Sequence, residues 1–98
     1  MNPDFQRVLA LTKKIPRGKV STYKELARAL RIHPRVVAKA LSSNKHPIII
    51  PCHRVIHASG EIGGYTPKGR GEKIKLLRKE RVSIDKNKIN ESYFYSFR

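Results

Sequence analysis

The sequence predicts a mainly α-helical domain with a small β element, arranged as a winged-helix-like helix-turn-helix. Three observations lead there. Helix-start signals stand at Asn2-Pro3-Asp4, Thr22-Tyr23-Lys24-Glu25 and Pro34, each followed by apolar residues at helical spacing. The second and third of these segments are only a few residues apart, as in helix pairs that dock on DNA. After them come the apolar run Ile48 to Val55 and a small-residue turn, which read as strand and hairpin.

Helix one is expected from about Pro3 to Lys14. Asn2 caps it, Pro3 suits the first turn, and Asp4 meets the positive end of the helix. Phe5, Val8, Leu9 and Thr12 form its inward stripe. Ile15-Pro16-Arg17-Gly18-Lys19 is a turn, and Val20-Ser21 a short extended link. Thr22 and Glu25 fit a capping box, in which each side chain satisfies a backbone N–H of the other. Leu26, Ala27, Ala29 and Leu30 carry helix two to about Arg31, and Ile32-His33 turns the chain. Pro34 opens helix three, with Val36, Val37, Ala40 and Leu41 inward, and Pro47 forbids continuation past Ser42-Ser43-Asn44.

The stretch from Ile56 to Ile62 reads as a hairpin, and Gly63 to Gly71 as a loop whose four glycines let backbone approach a ligand closely. A last helix is expected from about Glu72 to Glu80, with Ile74, Leu76 and Leu77 inward. From Lys86 the chain is polar, then aromatic at Tyr93-Phe94-Tyr95, and can either fold back or stay disordered. Residues 1–85 are expected to form the domain and 86–98 a tail.

Composition narrows the function classes. Ninety-eight residues suit one domain with a small core. No apolar stretch is long enough to cross a membrane, and the N-terminal residues lack the layout of a secretory signal. One cysteine excludes an internal disulfide and a multi-cysteine zinc site, and His33, His46, His53 and His57 lack metal-ligand spacing. A reducing, cytoplasmic setting is expected, with no metal and no cofactor. The 22 Lys and Arg against 7 Asp and Glu give a formal charge of +15, which points to a polyanion, with nucleic acid ahead of a membrane surface. Arg28, Arg31, Arg35, Lys39 and Lys45 lie in and around the helix pair, which favours DNA.

The most informative stretch is Ile50-Pro51-Cys52-His53-Arg54-Val55. A thiol attacks only as thiolate, and a neighbouring histidine or cation favours that form. A lone cysteine among apolar residues is, equally, a small core hydrophobe.

Pro51-Cys52-His53-Arg54-Val55 resembles the active-site motif of the O(6)-alkylguanine-DNA alkyltransferases, which take an alkyl group from guanine onto a cysteine. The likeness extends from about Val8 to Ile84 and includes Gly18 to Tyr23, Ser59-Gly60, Gly64-Tyr65 and Leu76 to Glu80. It implies that Cys52 is the alkyl acceptor, that His53 acts through a water as its base, and that Glu80 orients that histidine. It implies that Tyr23 donates to the guanine ring near the target phosphate, and that Arg35 fills the stack when the base is flipped out. The resemblance implies that Asn44, on the DNA-binding side, ties helix three to the cysteine segment, and Lys39, Arg54 and Lys73 are expected at DNA or the pocket rim. Val55, Ser59, Tyr65 and Thr66 are expected around the base. The partner implied is double-stranded DNA carrying alkylated guanine, met by a monomer. The alternative is a non-catalytic relative that binds alkylated guanine and recruits other factors; in those the cysteine is commonly a tryptophan, a residue this chain lacks. Three features depart from the family: its N-terminal domain has no counterpart here, Lys39 stands where small residues are common, and the aromatic tail has no equivalent.

Overall fold

The computed structural model describes residues 2–45, 49–63 and 69–97. Helix α1 runs Pro3–Thr12, strand β1 Ser21–Thr22, α2 Tyr23–Leu30 and α3 Pro34–Ser42. A 3-10 turn, Cys52–Arg54, leads into β2, Val55–Ile56. Then come α4, Gly69–Lys79, the strands β3, Ile84–Asp85, and β4, Lys88–Ile89, and a last 3-10 turn, Glu91–Tyr93.

Local chemistry sets the helix starts. The Asn2 side chain accepts from Asp4 N and caps α1. That helix stops at Thr12, two residues before the expected end, where the Thr12 hydroxyl turns back to Val8 O at 2.7 Å inside the core. Thr22 accepts from Glu25 N at 3.0 Å, but the other half of the capping box is not made, because the Glu25 carboxylate turns to Arg28 and to the tail. Arg31 closes α2 in the left-handed region at φ 59, with its N–H on Ala27 O and Arg28 O. His33, expected only as a turn residue, caps α3 through Nδ1, which accepts from Arg35 N at 3.0 Å.

The first core joins α1, α2 and α3 to the cysteine turn through Val8, Ile15, Leu26, Val37, Ala40, Leu41, Cys52 and Val55. The second gathers Val20, Ile56, Ile62, Leu77, Val82 and Ile89. At about 1.5–3 kcal/mol for each large side chain buried, these two clusters are the main opposition to chain entropy. Between them β1 pairs with β2 in parallel, Ser21 opposite Val55 and Thr22 opposite Ile56. This short ladder brings the start of α2 beside the end of the cysteine turn.

The continuous strand expected over Ile48 to Val55 is not formed. Ile49 is 71% exposed, Ile50 forms a single bridge, Cys52–Arg54 is helical, and Val55–Ile56 pairs with β1. Pro51 lacks the N–H that a ladder needs, and the polar side chains after it are drawn to other partners. Expected strand residue Ile48 lies outside the described residues. The expected reversal over Ile56 to Ile62 is present as a turn closed by His57 N donating to Glu61 O at 3.0 Å, but no ladder extends from it, and Glu61 bridges Lys88. The true hairpin is β3–β4, turned at Lys86 and Asn87 with φ 50 and 65, where asparagine tolerates the left-handed region. Gly60 must lack a side chain, since a Cβ there would meet Ile89 O at 2.8 Å. The last helix starts at Gly69, earlier than expected, and ends at Lys79.

Residues after Asn90 fold back. Val20 N donates to Tyr93 O at 2.9 Å and Tyr95 N to Val20 O, so this segment runs along the outer edge of β1. Tyr95 and Phe97, ring centroids 5.3 Å apart and edge to face, pack on the first core. Tyr93 and Phe94 pack on the second. Phe97 N donates to Glu25 Oε2 at 2.7 Å, and Arg28 donates to Phe97 O.

Candidate active site

The 3-10 turn makes Cys52 and His53 inward-facing neighbours, 7% and 1% exposed. The Asn44 amide, just past the end of α3, donates to Ile50 O at 3.0 Å and to Cys52 Sγ at 3.3 Å. It therefore fixes the turn and aims an N–H at the sulfur.

His53 Nε2 lies 3.0 Å from Glu80 Oε2. Arg54 grips the same carboxylate with two bonds, Nε to Oε1 at 2.9 Å and Nη2 to Oε2 at 2.7 Å, while its Nη1 donates to Ile15 O at 2.8 Å. Burial pushes the Glu80 carboxyl up, but hydrogen bonds from Arg54 and His53 outweigh it and hold the group below its ordinary value. Burial lowers His53 against the pull of Glu80, and the cations Arg54 and Lys73 lower it further. The histidine is thus neutral beside a carboxylate whose charge is already met by arginine. A neutral ring whose Nε2–H donates a hydrogen bond to Glu80 keeps Nδ1 as its basic nitrogen.

Tyr23, at the start of α2, stands on the other side. Burial, with the Cys52 charge added, raises its phenol above the ordinary value, so it keeps its proton. Its ring is 5.3 Å from the His57 ring, and Lys73 Nζ sits 5.9 Å from its centroid. Gly63 lets His57 lie there, because a Cβ would stand 2.9 Å from the imidazole. Tyr23, Pro34, Arg35, Ala38 and His57 line an open, largely apolar cavity of about 310 Å³. Arg35 is exposed at the first turn of α3, with Lys39 one turn on and also exposed.

Of the residues singled out from sequence, Cys52, His53, Glu80, Asn44, Tyr23 and Val55 come together, and Arg35 and Lys39 share the outer face of α3. Two are placed otherwise than expected. Arg54 belongs to Glu80 and Ile15 rather than to a DNA-facing surface. Lys73 is fully buried, with Nζ donating to Val55 O at 2.6 Å, and does not face a phosphate. Ser59 sits exposed in the turn after β2, its hydroxyl accepting from Glu61 N at 3.4 Å. Tyr65 and Thr66 lie outside the described residues. Sequence reasoning missed the part of His57. Its place two residues after the motif gave one signal, since alternation along β2 sends it to the face opposite Ile56. No group of three or more His, Cys, Asp or Glu that could hold a metal occurs among the described residues.

Residues 3–82 match the family model described as the DNA binding domain of 6-O-methylguanine DNA methyltransferase. The chain belongs to this family. A methylated-DNA–protein-cysteine methyltransferase of Thermococcus sibiricus is 57% identical over 72 residues, 74% of this chain and 40% of that protein. S. pombe Atl1, solved with damaged DNA containing O6-carboxymethylguanine, superposes with a TM-score of 0.83 at 30% identity, over 99% of this chain and 100% of that one. Mycobacterium tuberculosis OGT in complex with DNA gives 0.78 at 37% identity, over 83% of this chain and 51% of that one. The chain spans about half the length, or less, of the curated relatives it matches. Among the described residues, no helix is long and apolar enough to cross a membrane.

Proposed function

We propose that this protein repairs DNA by moving an alkyl group from O6 of guanine to Cys52, once per molecule and irreversibly. The observation that carries the reading is a buried thiol with an amide N–H at its sulfur and, next to it, a neutral histidine on an arginine-clamped glutamate. His53 takes the thiol proton through a water; Glu80 and Arg54 hold the ring and disperse the charge it gains. The thiolate displaces the alkyl carbon: the Sγ–C bond forms, the C–O6 bond breaks, and the electron pair stays on guanine. The Tyr23 phenol, kept protonated by burial, supplies a proton to the departing base. Alkylated cysteine is a stable thioether, so nothing in the site resets it.

The reacting carbon is hidden in a duplex, so the nucleotide has to leave the stack, at a cost of a few kcal/mol. Helix α3 meets the DNA, Arg35 fills the vacated position, and the cavity beside Tyr23 leads the base inward. Lys39 and the wider excess of basic residues contact phosphates, which makes affinity strongly salt-dependent and weakly dependent on sequence. The protein acts as a monomer in the cytoplasm, and thymine alkylated at O4 is a second possible substrate.

The end-to-end likeness to Atl1, whose solved complex holds damaged DNA, favours a second reading: a binder of alkylated guanine that recruits other factors and transfers nothing. The presence of Cys52 weighs against it. Intact-protein mass decides between them. After mixing with excess duplex carrying one O6-methylguanine, a gain of one methyl group on Cys52 is expected. Tight, damage-selective binding with no gain would establish the binder.

A further inference from the structure

His57 stands beside Tyr23 yet has no task in the reaction above. The sheet register puts it there. β1 and β2 run in parallel with Thr22 opposite Ile56, so the residues that follow them, Tyr23 and His57, emerge at the same end of the ladder. Their ring centroids lie 5.3 Å apart, with the planes tilted by 41°. Both rings line the open cavity beside Arg35.

The two rings are not equally secured. Tyr23 is the first residue of α2. A helical side chain leans back over the turn before it, and a first residue has no such turn in its own helix. Its ring packs on the first core and is only half-buried, so other elements must set its direction. His57 is exposed, but its backbone is pinned: its N–H donates to Glu61 O at 3.0 Å and its carbonyl accepts from Gly60 N at 2.9 Å. Its imidazole rests on Gly63, where a Cβ would come within 2.9 Å of Nε2 and 3.1 Å of Cδ2. Gly63 also has φ +76, so glycine serves the backbone and the seat of the ring together. A ring with a fixed backbone and a close seat is a wall.

We infer that His57 is a positioning residue for Tyr23: its ring, seated on Gly63, walls the phenol on the solvent side and keeps the hydroxyl where the departing base needs it. This rests on the reading in which Tyr23 protonates that base. The role calls for a flat ring and not for an imidazole nitrogen, so phenylalanine fills it and alanine does not. Without the wall the phenol reaches other rotamers and spends less time in the productive one. DNA binding is little affected, because the cations of α3 make it.

The ring and the reaction are tested separately. In the full chain with 13C-labelled tyrosine and no DNA, the Tyr23 ring order parameter should fall in His57→Ala and return in His57→Phe. An unchanged value in His57→Ala overturns the inference. With protein in excess over duplex carrying one O6-methylguanine, His57→Ala should lower the saturating transfer rate by about tenfold, part of the roughly hundred- to ten-thousandfold that a placed acid contributes. The half-saturating concentration should stay within about twofold, as for an interaction made only in the transition state. His57→Phe should restore the rate. Added to Tyr23→Phe, His57→Ala should cost nothing more, since one residue acts through the other. A further loss of the same size would make His57 a separate DNA contact and overturn the inference. If the Tyr23 ring loosens in His57→Ala but Tyr23→Phe transfers at the parent rate, the proton-donor reading of Tyr23 fails and the wall stands. If it loosens and no chain gains a methyl group, the transfer reading fails instead.

Discussion

The cysteine turn and the outer face of α3 are built on opposite plans. Around Cys52 each polar group is locked: Asn44 on the sulfur, Arg54 and His53 on Glu80, Lys73 on Val55. On α3, Arg35 and Lys39 stand exposed, with long side chains left to find their partners. A reaction step depends on angles and charges fixed beforehand, whereas a surface that meets any DNA sequence benefits from adaptable cations. The contrast makes a claim: damage to the turn should be severe and insensitive to salt, and damage to the α3 face should be graded and salt-sensitive.

The largest effect is expected from Cys52→Ser, which should abolish transfer while DNA affinity by gel shift stays within about twofold, since the sulfur is buried away from the α3 face. Retained transfer would remove the nucleophile from the scheme. Next is Glu80→Gln. It strips the anion from Arg54 and His53 together, so a loss of about 2 kcal/mol in thermal unfolding is expected, with slower thiol capture at pH 7. An unaltered capture profile would reduce Glu80 to a structural tie. Arg35→Ala follows: repair in duplex should fall by roughly tenfold or more, in line with a flipping cost of a few kcal/mol, while repair of single-stranded substrate is spared. Equal losses on both would deny it a place in the stack.

Acid should act first on the turn, and only at lower pH on Glu25, whose carboxyl the Arg28 hydrogen bond holds at about 2. The folded value of His53 lies below its ordinary 6.5, so below that pH the unfolded chain takes a proton that the folded one refuses. Stability from neutral, buried His53 is full above pH 6.5 and is lost as pH falls. Glu80, depressed in the folded state, adds a loss at lower pH as it protonates. Denaturant midpoints between pH 8 and 5 should therefore decline, and His53→Gln should flatten the upper part of that decline. The smallest effect is that of Lys39→Ala, expected to weaken binding about twofold and to lower the slope of log affinity against log salt by about one.

The fold was legible where local chemistry decides it. Asn2, Thr22 and Pro34 mark helix starts that tertiary contacts do not alter. Segments whose backbone depends on distant partners were read less well. The run before Cys52 has strand-like apolarity, but Pro51 and the pull of Asn44 on Ile50 O bend it. The tail's return is set by Val20 and Glu25, more than seventy positions upstream, so no local pattern could reveal it. In the site, the grouping of Cys52, His53 and Glu80 could be read from the resemblance. Arg54 and Lys73 could not be separated from the basic surface, because charge counts carry no information on burial: one is an internal clamp and the other an internal cation.

The pairing of Val20 with residues 93–95 ties one margin of the small sheet to the far end of the chain. During synthesis at some 5–20 residues per second, α1 to α3 can emerge and collapse early, but β1 keeps an open edge until residue 95 is added. A nascent or truncated chain that stops short of Tyr93 presents that bare edge, together with an unclamped Glu25 at the head of α2. A chain halted before residue 93 would therefore offer a template for strand exchange between copies, where chains that include residues 93–95 are protected from it.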